Sequence, residues 1–232
     1  MKQIGLVGGL GWVSTAEYYG LLNVRARDEL GDHRSARVLI DSLDEQEFLD
    51  AQAEDPSEAR CEAMIIESVA RLAEAGSEVI ALCANGLHRF VPAIIQHTGV
   101  EVIDIAGATV DAVTASGLSS VGLLGVRKTM EGEFYRSRFE DKHIEVLTPD
   151  EATRSYVHDR IIDELTLGIF TQSTRESFLG VCQELVDRGA EGVVLGCTEI
   201  PLLLDVNDAA KFPLFSTTAI HCEAILKAAL TS

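Results

Sequence analysis

The chain has 232 residues, 47% of them hydrophobic, enough for a packed core in one large domain or two small ones. A formal net charge of -18 without a basic cluster opposes nucleic acid or an anionic membrane as partner. No apolar run approaches the ~18 residues of a membrane helix and no signal-type segment opens the chain, so a soluble cytoplasmic protein is expected.

In chain order, short β-branched runs alternate with longer amphipathic stretches, the pattern of an α/β fold. IGLVG at 4–8 reads as the first strand. The following GGLG is neither of the nucleotide-loop patterns, and close approach of backbone to a small ligand explains Gly9 better. A helix is expected from Ser14, with Ser14 and Glu17 as a capping box, and Trp12 before it either lines a ligand site or fills the core. RVLI at 37–40 is the next strand. A second box, Asp55 with Glu58, and Pro56 at the first helical position open a long helix near 56–75. EVIALC at 78–83 is a strand, VGLLG at 121–125 another, and Gly76, Gly99, Gly117 and Gly189 close helical stretches. The five cysteines, Cys61, Cys83, Cys182, Cys197 and Cys222, are odd in number, widely spaced and form no CxxC pair. Reduced thiols are expected, with neither disulfides nor a metal site.

An internal repeat sets the architecture. Residues 72–84 align without gaps on residues 185–197, with helix end, glycine, glutamate and strand coinciding, and the strand at 4–8 resembles that at 121–125. Two similar α/β halves with parallel-rich sheets, related by a pseudo-two-fold axis, are expected. The boundaries are placed at 1–106 plus 208–232 for the first half and 107–207 for the second.

Ligands of parallel α/β sheets collect at the carboxyl ends of strands. The two repeat strands end at Ala84 and Cys197, which face one shared cleft if the halves oppose each other. A thiol in such a loop, near a helix N-terminus, has its pKa drawn down and serves as base or nucleophile, so Cys197 is the catalytic candidate. Cys83 lies one residue out of step, and a one-residue shift along a strand turns a side chain to the opposite face, into packing.

GLVGGLGWVSTAEYY (5–19), CANGLH (83–88), LLGVRKTM (123–130), GCTEI (196–200) and FSTTAIH (215–221), in that order, resemble the aspartate/glutamate racemase family, especially its broad-specificity amino-acid racemase branch. The resemblance covers nearly the whole chain. It implies a two-half fold with the active site in between, no cofactor, a homodimer, and two opposed acid/base residues, usually both cysteines, exchanging the α-proton of an amino acid. The family's first motif is Cys-Asn-Thr-x-His. Here Asn85 and His88 keep its spacing, while Ala84 stands at the position of the second base and Gly86 where threonine is frequent. Val126 and Ser216 depart from a frequent threonine and a usual aspartate. Ala84 is read as an engineered substitution of a threonine or cysteine, as a natural change of chemistry, or as a position served by water or a distant residue. Thr198 and Asn85 are candidates to bind a carboxylate and stabilise an enolate. Glu199 orients Thr198 or caps the next segment. Thr129 contacts a carboxylate or caps a helix. His88 and His221 match family positions but are read as structural. The residues thus suggest a cofactor-independent racemase with a one-base site. The alternatives are a single-cysteine decarboxylase or lyase of a small carboxylate, and a non-catalytic carboxylate-binding protein.

Overall fold

The computed structural model describes residues 1–205 and 212–231. The chain forms two compact units, Met1–Asp104 with His221–Ser232, and Ile105–Ile220. The first crossing thus comes two residues earlier than the sequence suggests, and the expected return at 207/208 lies outside the described residues. The described segment 212–220 belongs to the second unit because its strand is hydrogen-bonded there.

In the first unit, β1 (Ile4–Gly8), β2 (Val38–Ser42), β3 (Val79–Leu82) and β4 (Val102–Ile103) form a parallel sheet of order β2-β1-β3-β4. The helices are α1 (Trp12–Leu30), α2 (Glu45–Glu54), α3 (Ala59–Glu74) and α4 (Val91–Thr98). In the second, α5 (Ile105–Ala115) precedes β5 (Ser120–Leu124), followed by α6 (Arg127–Glu131), α7 (Glu133–Glu140), β6 (Glu145–Leu147), α8 (Glu151–Arg160) and α9 (Gln172–Asp187). Then come β7 (Val193–Leu195), α10 (Ile200–Leu203) and β8 (Leu214–Ser216), the sheet order being β6-β5-β7-β8, again parallel, and α11 (Thr217–Leu230) begins in this unit and belongs from His221 onward to the first. No helix among the described residues is long and apolar enough to cross a membrane.

The side-chain period of two splits each sheet between two cores. Ile4, Leu6, Ala81 and Cys83 pack with Tyr18, Leu22 and Ile225, whereas Val7, Ile80 and Leu82 pack with Ile65, Val69 and Ile94. In the second sheet Val193 and Leu195 join Phe178, Val181 and Leu185, while Val121, Leu123 and Val194 join Tyr135 and Phe139.

The repeat read from the sequence is reproduced bond by bond. Gly76 and Gly189 end α3 and the stretch after α9 with positive φ, 90° and 110°, and after each the chain turns back through Ser77 N–H to Leu72 O and Ala190 N–H to Leu185 O, both 3.0 Å. Glu78 accepts from Gln3 N–H at 3.1 Å, and Glu191 accepts from Ser119 N–H at 2.6 Å, so each acid ties the start of its strand to the strand beside it. Gly5 and Gly122 occupy matching places. A Cβ at Gly5 would lie 3.2 Å from Leu72 Cβ, and one at Gly122 would lie 3.2 Å from Leu185 Cβ, so both glycines let a helix settle on its sheet.

Two helix starts differ from the sequence reading. α1 begins at Trp12, with Gly11 at its cap, and Ser14 is buried inside it. Thr15 holds that end instead, accepting Gly9 N–H at 2.9 Å and donating to Gly11 O at 3.3 Å. Asp55 ends α2, a helix the sequence pattern did not reveal, and its carboxylate accepts from Ser57 N–H and Ala59 N–H, so α3 starts at Ala59 and not at Pro56. Glu58 is left-handed there and turns its carboxylate away from Asp55 to Arg89.

Gly5→Ala and Gly122→Ala are each expected to destabilise by about 1–3 kcal/mol through overpacking. Gly20→Ala is expected to stabilise by roughly 0.5–1 kcal/mol, because no atom lies within 4 Å of that Cβ in mid-helix. Urea unfolding midpoints check all three.

Candidate active site

The loop after β7 is held closely. Gly196 N–H donates to Leu124 O at 2.6 Å, and a Cβ on Gly196 would lie 2.8 Å from that oxygen. A Cβ on Gly125 would lie 2.8 Å from Gly196 O, so the loops leaving the adjacent strands β5 and β7 meet at backbone distance and tolerate only glycine. Thr217 Oγ1 donates to Leu195 O at 2.8 Å, and Thr218 Oγ1 to Thr198 O at 3.5 Å.

That scaffold presents three consecutive functional side chains. Cys197 Sγ donates to Glu199 Oε2 at 2.9 Å, and Thr198 Oγ1 donates to the same oxygen at 3.1 Å. All three are buried, Cys197 at 8% exposure and Glu199 at 2%. Glu199 therefore orients Thr198, as one reading of the sequence has it, but it also receives the thiol, which that reading missed. Its side chain makes no cap bond to α10. Burial raises the Cys197 pKa well above the ordinary thiol value, and the Glu199 charge raises it further. The expectation of an open loop with a lowered pKa is corrected accordingly: exclusion of water and a neighbouring anion outweigh the backbone N–H groups that favour thiolate.

Thr129, the third residue of α6, is fully buried, and its methyl carbon lies 3.0 Å from the Cβ positions of both Gly125 and Gly196. Val126 occupies the helix cap, which excludes the capping reading, and Thr129 Oγ1 has no hydrogen-bond partner.

In the first unit Ala84 is extended and leads into a 3-10 turn, Asn85–Phe90. Ala84 packs towards the face of Ile80 and Leu82, whereas Cys83 is 2% exposed among Ile4, Leu6, Tyr18 and Cys222 on the other face. Burial pushes the Cys83 thiol well up. Counted from the strands, Ala84 and Cys197 are equivalent, and so are Cys83 and Gly196, whose N–H groups bond Val7 O and Leu124 O. Asn85 is buried, and Gly86 is not strained, since a Cβ there would meet only Arg89 Nη1 at 3.4 Å. Gly9 is left-handed at φ 92°, with Leu43 O 2.0 Å from its Cβ position, so the chain's own backbone accounts for this glycine. Trp12 is 63% exposed and fills no core.

The two histidines form a buried network. A carbonyl can only accept, so His221 Nε2–H donates to Ile103 O at 2.8 Å, leaving Nδ1 to accept the Tyr18 hydroxyl at 2.8 Å. His88 sets Nδ1 3.2 Å from Ala84 O and Nε2 3.4 Å from Ile103 O, with its ring edge-on to His221 at 5.4 Å. Burial, then the charge of His88, lowers the His221 pKa to about 3. Burial lowers His88 as well, against the opposing pull of Asp104. Among the described residues no group of three or more His, Cys, Asp or Glu could hold a metal ion.

Residues 7–225 match the model of the Asp/Glu/hydantoin racemase family, and the chain belongs to that family. A crystal structure of a Yersinia pestis protein of the Asp/Glu racemase type is 38% identical, with full coverage of both chains and a TM-score of 0.88. An aspartate racemase homologue from Pyrococcus horikoshii is 27% identical, again over the whole of both chains, with a TM-score of 0.84. Aspartate racemase from Picrophilus torridus shares the fold, with a TM-score of 0.82 at 20% identity, over 99% of this chain and 94% of that one.

Because His221 is neutral when folded and titrates near 6.5 when unfolded, its contribution is fully present above about pH 6.5 and is lost progressively as pH falls towards 3. Stability is expected to fall by up to about 1.4 kcal/mol per pH unit in that window on its account. His221→Gln, which keeps the donor to Ile103 O, is expected to unfold on a shallower pH slope between 6.5 and 4, measured by urea titration at each pH.

Proposed function

We propose that the chain is a cofactor-independent enzyme working at the α-carbon of an amino acid or small carboxylate, with Cys197 as its acid/base and Glu199 as the proton partner of the thiol. The observation that supports this most is the buried contact of 2.9 Å between Cys197 Sγ and Glu199 Oε2, in a chain whose family and structural neighbours are racemases. A thiol with a raised pKa is a poor base alone. A carboxylate at hydrogen-bond distance takes its proton as the α-proton arrives, so that no two adjacent anions need coexist.

In the forward step Glu199 accepts the Sγ proton, Cys197 sulfur takes the α-proton, and the C–H electron pair moves into the substrate carboxylate as an enolate. The unpaired hydroxyl of Thr129 is the proposed donor that holds this charge, the Thr198 hydroxyl being given to Glu199. From the family resemblance we also propose that Asn85, in the loop Ala84–Gly86, binds the substrate carboxylate. Alanine carries no exchangeable proton, so the proton returns from Cys197 to the face it left, with retention of configuration. From the family resemblance we also propose a homodimer in the cytoplasm.

A second reading, favoured by Ala84 itself, is a one-acid decarboxylase or lyase, in which carbon dioxide leaves and the Cys197 thiol protonates the enolate. A protein that binds a carboxylate without turnover is the third.

The test is NMR in heavy water over a panel of enantiopure amino acids. Deuterium is expected to enter one enantiomer without net racemisation. Cys197→Ala should abolish the exchange and Glu199→Gln slow it by about 10²–10⁴, the usual worth of a positioned acid/base. Ala84→Cys should raise racemisation by a similar factor. Fast racemisation by the unaltered chain contradicts the one-base site. Release of carbon dioxide from a malonate-type substrate, without amino-acid exchange, moves the assignment to the second reading, and ligand-dependent melting without either reaction moves it to the third.

A further inference from the structure

The loop that leaves β3 is held by its own turn through a charge pair between residues 31 positions apart. Arg89 donates from Nε and Nη2 to the two carboxylate oxygens of Glu58, at 2.9 and 3.0 Å, and from Nη1 to the carbonyl of Gly86. Its guanidinium also lies over the Phe90 ring, 4.1 Å from the centroid, which fixes the plane of the fork. Glu58 Oε1 further accepts from Gln52 Nε2 at 2.7 Å. Both side chains are largely withdrawn from water, at 21% and 18% exposure, and in that setting a bidentate arginine–carboxylate pair is strong and directional, unlike an exposed one. To reach Arg89, Glu58 adopts a left-handed backbone, φ 57°, which a residue with this side chain rarely takes. Such strain persists only where surrounding contacts impose it, and it collects at functional sites.

Resting on the proposed role of residues 84–86 at the substrate carboxylate, we infer that Glu58 and Arg89 are positioning residues: they set the direction of the Gly86 carbonyl and thereby the peptide groups of that loop. A planar trans peptide makes this a rigid coupling, because fixing a carbonyl fixes the N–H of the next residue. His88 acts two peptides earlier, with Nδ1 at Ala84 O. Consecutive side chains thus grip the two carbonyls that flank Asn85, and the pair reaches out to the start of α3 for its anchor. With its fork committed to Glu58 and Gly86, Arg89 acts on the loop and not on the substrate.

The experiment uses the full chain and the variants Glu58→Gln, Arg89→Met and the double variant. Without ligand, amide hydrogen exchange at residues 85–88 is expected to accelerate about tenfold or more in each, the worth of one charge-assisted hydrogen bond, while residues 196–199 are unaffected. The double variant is expected to match the singles, since either change releases the same grip. Unchanged exchange at 85–88, or acceleration spread equally over both units, overturns the inference. If Arg89→Met does not fold, Arg89→Lys, which keeps one donor, is expected to give an intermediate rate.

With alanine as probe, the same variants on the Ala84→Cys background are expected to raise KM about tenfold and leave kcat within about threefold, as for a lost ground-state carboxylate contact. A fall in kcat at constant KM overturns the link to carboxylate binding. If the parent exchanges no α-proton of any amino acid, the proposed function fails by itself, and the ligand-free exchange decides whether Glu58 and Arg89 position the loop.

Discussion

A thiol and a carboxylate share one dry corner of the second unit, and the chemistry proposed for this chain depends on that contact. Cys197 and Glu199 are two residues apart, both buried, 2.9 Å between Sγ and Oε2. Burial and the Glu199 charge beside it both raise the Cys197 pKa and so favour the proton on sulfur. The backbone crossing at Gly125 and Gly196 brings β5 and β7 close enough to shut solvent out, and the hydroxyls of Thr217 and Thr218 fasten the loop from the following helix. A larger residue at either glycine would push the loops apart and let water reach the pair, removing the reason the proton is held there.

The first unit repeats this scaffold with other side chains. The same helix turn, the same glutamate tie and the same sheet order bring Ala84 to the place that Cys197 holds in the second. Around Ala84 stand groups that hold the loop's carbonyls: His88, whose ring meets His221 edge-on, at Ala84 O, and Arg89, paired with Glu58, at Gly86 O. That arrangement stiffens the loop and offers no proton. The asymmetry between the two loops is therefore chemical, set by a few side chains on a shared backbone plan.

Much of this was legible in the sequence, for identifiable reasons. The gapless match of 72–84 to 185–197 carried the repeat because glycine at a helix end and glutamate before a strand are each demanded by local backbone geometry. The face change between Cys83 and Ala84 followed from the two-residue period of a strand. The thiol's protonation did not, since spacing tells nothing of how deeply a loop is covered, and the helix N-terminus that would lower a pKa competes with burial that raises it. Helix starts at Ser14 and Pro56 failed because capping residues signal only a local option. Thr15 and Asp55 found other partners once the loops had folded. Glu58 and Arg89, 31 residues apart, left no local trace at all.

The most direct measurement is a pH titration of the cysteine Cβ carbons by ¹³C NMR, in the unaltered chain and in Glu199→Gln, with Cys197→Ala assigning the signal. The Cys197 carbon is expected to report a thiol at neutral pH and to titrate above the ordinary thiol range, moving to lower pH when the carboxylate is removed. A thiolate already present at neutral pH, or a titration that Glu199→Gln leaves unchanged, would contradict the shared proton on which the account rests.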